Sequence, residues 1–153
     1  PDRREKSAYT IDYADLYRKG YRGVIFDIDN TLVPHGAPAT KEAAAFFASL
    51  RETGFSTCLL SNNQKPRVAP FADAVGSIYI ENAHKPSVKN YQEACRRMGI
   101  KEEQAVFVGD QLFTDVYGAK RTGLYNILTE PIDPKEEIQI VLKRYLEHIV
   151  LFL

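Results

Sequence analysis

Residues 24–33 read VIFDIDNTLV, an apolar run interrupted by two acidic residues. Its apolar and β-branched start predicts a buried strand, and two aspartates, Asp27 and Asp29, follow at once. Side chains two residues apart in a strand point to the same side, so both carboxylates are expected where a sheet meets water. Two such carboxylates repel each other unless one takes a proton or a cation lies between them. An ordinary polar turn is the simpler alternative.

The overall composition predicts one globular domain over residues 1–153. Hydrophobic residues make up 44% of the chain and charged residues 26%, which suits a domain with a substantial core. Lys+Arg and Asp+Glu are both 20, so the net charge gives no indication of nucleic-acid binding. Neither a signal peptide nor a membrane-spanning segment is expected, which favours a cytoplasmic location and leaves peripheral membrane contact open. Cys58 and Cys95 are expected to be buried, reduced thiols.

Strand and helix patterns alternate along the chain. Strands are predicted over residues 21–27, 55–60, 77–80, 105–108 and 125–128. Helices are predicted within 7–20 and over 40–53, 66–74, 86–99, 114–122 and 135–153, and the charged residues 2–6 are expected to be frayed. This alternation requires parallel strands with right-handed crossovers. The predicted fold class is therefore α/β, a doubly wound three-layer sandwich with a five-stranded parallel sheet and no large cap domain.

Polar residues recur at the carboxyl ends of the predicted strands. They are Asp27 and Asp29 after the first strand, Ser61 after the second, Asp110 with Asp115 after the fourth, and Lys85 before the helix at 86–99. Ligands of doubly wound sheets bind at this edge. Each of these residues, taken alone, is equally typical of a turn, a helix cap or a solvated surface charge. Together they predict one functional site.

These residues, as DIDNT at 27–31, SN at 61–62, KP at 85–86 and GD at 109–110 with Asp115, resemble the four motifs of the haloacid dehalogenase superfamily of phosphatases. Their order and spacing match too, over nearly the whole chain. The lack of a sizeable insertion resembles the capless subfamily IIIA. Within it, FDIDNTLV and LSNN resemble the bacterial YqeG family, which is related to mitochondrial phosphatidylglycerophosphate phosphatases. The resemblance implies a Mg²⁺-dependent phosphatase that hydrolyses a phosphomonoester through an aspartyl-phosphate.

The resemblance also implies a role for each aspartate, and the chemistry of the carboxyl group agrees with it. Asp27 is the expected nucleophile, and Asp29 is the expected general acid and base. Mg²⁺ prefers oxygen ligands. The expected metal ligands are the carboxylates of Asp27 and Asp110 together with the backbone carbonyl of Asp29.

The remaining motif residues are expected to hold the phosphoryl group and to support the aspartates. Ser61, the backbone N–H of Asn62 and the ammonium of Lys85 would contact the phosphoryl oxygens, which carry negative charge throughout the reaction. Thr31 would hydrogen-bond the loop at Asp27. Asp115 would orient a metal-bound water or Lys85.

The substrate and two other features are left open. The expected partner is a phosphorylated small molecule or a phospholipid head group, with phosphatidylglycerophosphate suggested by the family. Lys65 and Arg67 either reach a second phosphate or lie on a solvated helix face, while His35 and His84 are expected to be loop residues. The last predicted helix, residues 135–153, either packs on the sheet or forms an interfacial or partner-binding surface.

Three other functions compete with hydrolysis. A phosphotransferase would use the same chemistry, but without a cap to exclude water hydrolysis is favoured. A receiver-like signalling domain would carry its phosphoryl acceptor after the third predicted strand, where this chain has Ile80, Glu81 and Asn82. A catalytically silent binding or scaffold protein is disfavoured because every motif residue is present.

Overall fold

Six parallel strands form one open sheet in the computed structural model, which describes residues 1–133. The strands are β1 (Arg3–Glu5), β2 (Gly23–Phe26), β3 (Ser56–Leu60), β4 (Ile78–Ile80), β5 (Ala105–Gly109) and β6 (Tyr125–Thr129). They pair in the order β1-β6-β5-β2-β3-β4. The α/β class with a parallel sheet is confirmed, and the sheet has six strands where five were predicted.

Helices cover both faces of the sheet, which makes three layers. They are α1 (Tyr13–Arg18), α2 (Lys41–Thr53), α3 (Lys65–Val75), α4 (Val88–Met98) and α5 (Gly118–Thr122). Phe47 of α2 and Phe71 of α3 share one buried cluster with Phe26 of β2. Tyr91 of α4 and Ala119 of α5 belong to a second cluster on the opposite face. Each helix therefore buries its apolar stripe against the sheet, which stabilises the fold chiefly by removing apolar surface from water.

The strand order reverses at β2, which lies at the centre of the sheet. Its residues are fully buried, as the continuous apolar run predicts for a strand covered on both faces. Phe26 at its end pairs with Leu59 of β3 on one side and with Val108 of β5 on the other. The residues that follow these three strands are thereby brought to one edge of the sheet.

Two predicted elements differ from the structure. Residues 2–6 were expected to be frayed, but Arg3–Glu5 form β1 beside β6. The side chain of Asp2 also accepts hydrogen bonds from the backbone N–H (3.0 Å) and side-chain amide (2.9 Å) of Asn126. The helix predicted over 114–122 instead begins as a π-helical segment, Leu112–Tyr117, that continues into α5. The hydroxyl of Thr114 donates to the side chain of Gln111 (2.7 Å) rather than capping a helix.

No cap domain interrupts the alternation of strands and helices between residues 1 and 133, as predicted. The longest connection between consecutive elements runs from β2 to α2 over residues 27–40 and contributes to the edge where the polar residues gather. The helix predicted over residues 135–153 lies outside the described residues. That the full chain forms a single domain therefore stays a prediction.

Candidate active site

An open cleft lies at the carboxyl edge of the sheet, beside the switch in strand order. It is lined by Asp27, Asp29, His35, Ser61, Asn62, Asn63, Lys85, Gln111 and Thr114. Five of the predicted site residues therefore lie in one cleft, although they come from segments as far apart as residues 27 and 85. They are Asp27, Asp29, Ser61, Asn62 and Lys85. The cause is the strand register, which aligns the ends of β2, β3 and β5.

Three carboxylates meet at the base of this edge. Asp27, Asp110 and Asp115 each offer an oxygen atom, and these atoms all lie within 4.8 Å of one another. Asp115 is fully buried and Asp110 nearly so. The hydroxyl of Thr31 donates to Oδ1 of Asp110 at 3.0 Å, while its backbone N–H donates to the carbonyl of Ile28 at 3.2 Å, within the loop that follows Asp27.

The ammonium of Lys85 bridges two of these carboxylates. Its Nζ lies 2.9 Å from Oδ1 of Asp27 and 2.8 Å from Oδ1 of Asp115. Burial alone would lower the pKa of Lys85, but the two carboxylates outweigh that effect and raise the pKa well above its ordinary value. Lys85 therefore stays positively charged. The backbone N–H of Lys85 donates to Oδ1 of Asn62 (2.7 Å), which ties the lysine to the end of β3.

The donor set of the three carboxylates fits a divalent cation. With the carboxylates ionised and Lys85 protonated, these four groups leave an excess of negative charge in a buried place. Burial, followed by the charge of Asp27, raises the pKa of Asp115, although Lys85 opposes that rise. Hard oxygen ligands in a small cluster are the ligands that Mg²⁺ prefers. Asp115, predicted to lie behind the metal ligands, is here close enough to Asp27 and Asp110 to belong to the same cluster.

Asp29 contacts a different cation, the guanidinium of Arg67. Its Oδ1 accepts hydrogen bonds from Nη2 of Arg67 and from the backbone N–H of Gly36, both at 2.8 Å. Its Oδ2 accepts from the side-chain amide of Asn63 at 2.6 Å, and the imidazole of His35 lies 4.0 Å from Oδ1. The two aspartates of the sequence stretch therefore contact different cations, and the carboxylate of Asp29 is held by three donors.

A tight turn follows β2. The backbone of Asn30 is left-handed, with φ of 61°, a conformation that Asn tolerates better than most residues. The N–H of Asn30 donates to the carbonyl of Val33 at 2.8 Å. The chain therefore doubles back at once.

Ser61 and its neighbours form the third wall of the cleft. The Ser61 hydroxyl is buried and accepts a hydrogen bond from the backbone N–H of Asn63 (3.0 Å). Asn63 and Arg67, the partners of Asp29, were not among the predicted site residues, although a contact of Arg67 with a second phosphate was left open. The signal for them in the sequence is that both follow Ser61 closely, in the segment that leads from β3 into α3. Gln111 and Thr114 line the cleft because the segment after Asp110 folds back toward Lys85.

The open parallel sheet, with an acidic cluster at its switch point that could hold a cation, is the architecture of an α/β enzyme. The chain belongs to the haloacid dehalogenase-like hydrolase family, whose model matches residues 36–123. It is 38% identical over 133 residues to "Probable phosphatase YqeG" of Bacillus subtilis, which covers 86% of this chain and 77% of that protein. The chain is thus a phosphatase of this family, as the motifs predicted.

Two further comparisons concern a longer relative and a solved structure. Over 141 residues, the chain is 30% identical to "Phosphatidylglycerophosphate phosphatase 1, chloroplastic/mitochondrial" of Arabidopsis thaliana. This alignment covers 86% of the present chain but only 40% of the Arabidopsis protein. An uncharacterized protein from Corynebacterium glutamicum shares the fold, with a TM-score of 0.59 and 24% identity over 80% of this chain and 93% of its own. Among residues 1–133, no helix is both long and apolar enough to cross a bilayer.

Proposed function

We propose that this chain is a Mg²⁺-dependent phosphomonoesterase that forms an aspartyl-phosphate on Asp27. One observation carries the proposal: Asp27 lies in the cleft, in contact with the buried ammonium of Lys85 and close to the carboxylates of Asp110 and Asp115. A carboxylate in contact with fixed positive charge, beside a cluster suited to a cation, is what attack on a phosphate dianion requires.

The proposed groups that receive the phosphoryl oxygens surround Asp27. They are the hydroxyl of Ser61, the backbone N–H of Asn62 and the ammonium of Lys85, whose residues all line the cleft. Asp115 holds Lys85 in place from the buried side. Mg²⁺ would be held by the carboxylates of Asp27 and Asp110 and, as the family resemblance implies, by the backbone carbonyl of Asp29. When bound, it supplies positive charge that offsets the repulsion between two anions.

In the first step, a carboxylate oxygen of Asp27 attacks phosphorus, and the bond from phosphorus to the leaving oxygen breaks. The leaving oxygen takes a proton from the carboxyl group of Asp29, and the phosphoryl group stays on Asp27 as an acyl phosphate. In the structure, Asp29 accepts hydrogen bonds from Arg67 and Asn63. Proton transfer therefore requires Asp29 to exchange one of these donors for the leaving oxygen.

In the second step, water loses a proton to the carboxylate of Asp29 and attacks phosphorus. The bond from phosphorus to the oxygen of Asp27 breaks, which releases inorganic phosphate and restores the Asp27 carboxylate. Asp29 ends the cycle protonated, ready for the next leaving group, so atoms and charges balance over the two steps.

The proposed substrate is phosphatidylglycerophosphate. The resemblance to the YqeG family and the printed name of the Arabidopsis relative support this choice. The lack of an inserted cap domain among residues 1–133 also supports it, because no cap limits the size of the ester. A peripheral membrane location would then follow from the substrate.

Phosphate release from a panel of phosphomonoesters tests the proposal. The panel contains phosphatidylglycerophosphate in detergent micelles, sugar phosphates, nucleotides and an aryl phosphate, each measured with Mg²⁺ and with EDTA. We expect release that depends on Mg²⁺, loss of release in Asp27→Asn, and full activity in Asp73→Asn, which changes an exposed carboxylate of α3. Equal release with Mg²⁺ and with EDTA, or full activity in Asp27→Asn, would contradict the mechanism.

A further inference from the structure

An exposed apolar surface adjoins the cleft. Leu112, Phe113 and Tyr117 are 57%, 66% and 48% exposed. They account for half of the large hydrophobic residues that are exposed among residues 1–133, and they lie within six consecutive positions. Single exposed hydrophobic residues are common on protein surfaces, but a cluster of this kind indicates an interaction site.

The exposed side chains form an ordered column. The rings of Phe113 and Tyr117 stack, with centroids 5.8 Å apart and planes 9° from parallel. The guanidinium of Arg121 lies 5.6 Å from the centroid of the Tyr117 ring. We call Leu112, Phe113, Tyr117 and Arg121 the aromatic ladder. Three of its members are spaced four residues apart, which places them on one side of the continuous helical segment 112–122.

The opposite side of the same segment builds the active site. Asp115 is fully buried and contacts Lys85 at 2.8 Å, and the hydroxyl of Tyr91 donates to the carbonyl of Thr114 at 2.5 Å. Gly118 packs so closely on Tyr91 that a Cβ there would lie 2.4 Å from the tyrosine oxygen. The ladder is thus fixed on a rigidly packed element, directly outside residues that hold the catalytic groups.

We propose that the aromatic ladder docks this enzyme onto the surface of an anionic lipid bilayer. The inference rests on the proposed function, because it makes the substrate a phosphomonoester carried by a lipid. The position of the ladder supports it, since Gln111 and Thr114 line the cleft on either side of Leu112 and Phe113. A lipid could then keep its acyl chains in the bilayer while its phosphate reaches Asp27.

The charge around the ladder matches an anionic surface. Lys120 and Arg121 are exposed on the same segment, and the only acidic residue between positions 111 and 123 is Asp115, which is buried. Aromatic rings flanked by cations are typical of segments that lie at the boundary between head groups and acyl chains. Cations near an anionic bilayer add to the affinity and make it sensitive to salt.

The geometry does not favour a nucleotide as the occupant. The two rings already stack on each other, so no gap is left between them for a base. To bury Leu112 and Phe113 at the same time, the partner must instead offer one continuous apolar region that can pack around both side chains.

Vesicle co-sedimentation tests the docking surface. The full chain is mixed with vesicles of phosphatidylcholine alone or with phosphatidylglycerol added, and the double variant Leu112→Ser/Phe113→Ser is compared with the wild type. Ile78→Ser is the matched control, because Ile78 is also an exposed apolar residue (42%) but begins β4 at the other end of the sheet. We expect binding to the anionic vesicles, at least about tenfold weaker in the double variant and unchanged in Ile78→Ser.

Hydrolysis of a water-soluble aryl phosphate separates this proposal from the proposed function. The double variant is expected to keep the wild-type rate on the aryl phosphate and to lose rate on the lipid substrate in vesicles. Wild-type binding that is absent, equal for both vesicle types or unchanged in the double variant would overturn the docking surface, while aryl phosphate hydrolysis would still support the enzyme. No aryl or lipid hydrolysis by the wild type would instead overturn the proposed function.

Discussion

Replacing Lys85 with methionine should destabilise the protein strongly when no divalent cation is present. The substitution keeps most of the side-chain volume but removes the ammonium that contacts Asp27 at 2.9 Å and Asp115 at 2.8 Å. Lys85 is 3% exposed, Asp115 is 0% exposed and Asp27 is 13% exposed in the side chain, so water cannot readily take the place of the lost charge.

The magnitude follows from the two contacts. Two unit charges about 3 Å apart attract each other by about 6 kcal/mol at an effective dielectric constant of about 20. Desolvation of the ammonium and the carboxylates offsets much of this attraction. Removing one partner of a buried pair leaves the other charge uncompensated and usually costs about 3–5 kcal/mol. We therefore expect the free energy of unfolding of Lys85→Met to fall by about that amount.

Urea unfolding in EDTA measures the effect, with Lys89→Met as the control because Lys89 is exposed on α4. Added Mg²⁺ should restore part of the loss in Lys85→Met, since a cation that binds only the folded state stabilises it by about 2.7 kcal/mol at 100 times its Kd. A decrease in the free energy of unfolding no larger than that of Lys89→Met, or no increase when Mg²⁺ is added to Lys85→Met, would contradict the stabilising role assigned to the Lys85 charge.

Three further changes have specific expected outcomes. Gly109→Ala should lower the free energy of unfolding, measured in urea, by about 1–3 kcal/mol and should reduce phosphate release, because the new Cβ would lie 2.5 Å from Oδ2 of Asp115. Full activity in this variant would contradict the close packing of Gly109 on Asp115. Arg67→Gln should lower kcat more than it changes KM, since the guanidinium positions Asp29 at 2.8 Å. Arg96→Gln, exposed on α4, is the control, and an equal effect of the two substitutions on kcat would contradict this role. Burial raises the pKa of the Cys58 thiol from 9.0 to about 12. The stabilising contribution of the neutral thiol is therefore fully present below pH 9. As the pH rises from 9 toward 12, the thiol ionises in the unfolded state but stays neutral in the folded state, so the free energy of unfolding falls by about 1.4 kcal/mol per pH unit. Urea unfolding of wild type and Cys58→Ala between pH 8 and 11 should show the shallower decline in the variant, and equal declines would contradict it.

The sequence was most informative where a local pattern alone determines structure. The apolar run of β2 and the polar residues after β2, β3 and β5 were identified without knowledge of any contact. Their meeting at one edge follows from the general geometry of parallel sheets. Asp27, Ser61 and Lys85 accordingly line a common cleft.

Features that depend on contacts between distant segments were predicted less well. β1 was missed because its residues are charged and its partners in β6 lie more than 120 positions away. For Arg67 the sequence is compatible with a contact to a second phosphate or with a solvated helix face, whereas in the structure Arg67 contacts Asp29, 38 positions earlier. Asp115 was expected to orient a metal-bound water or Lys85 without belonging to the group of metal ligands. Its place in the carboxylate cluster depends on how the π-helical segment folds back toward Lys85.

Identification of the phosphorylated residue tests the central proposal most directly. The enzyme is mixed with substrate and Mg²⁺, quenched in acid during turnover and reduced with borohydride, which converts an acyl phosphate on aspartate to homoserine, and its peptides are analysed by mass spectrometry. We expect homoserine at position 27 in the wild type, only when substrate is present, and none in Asp27→Asn. Phosphate release without modification at position 27, or modification of another aspartate, would contradict the assignment of Asp27 as the nucleophile.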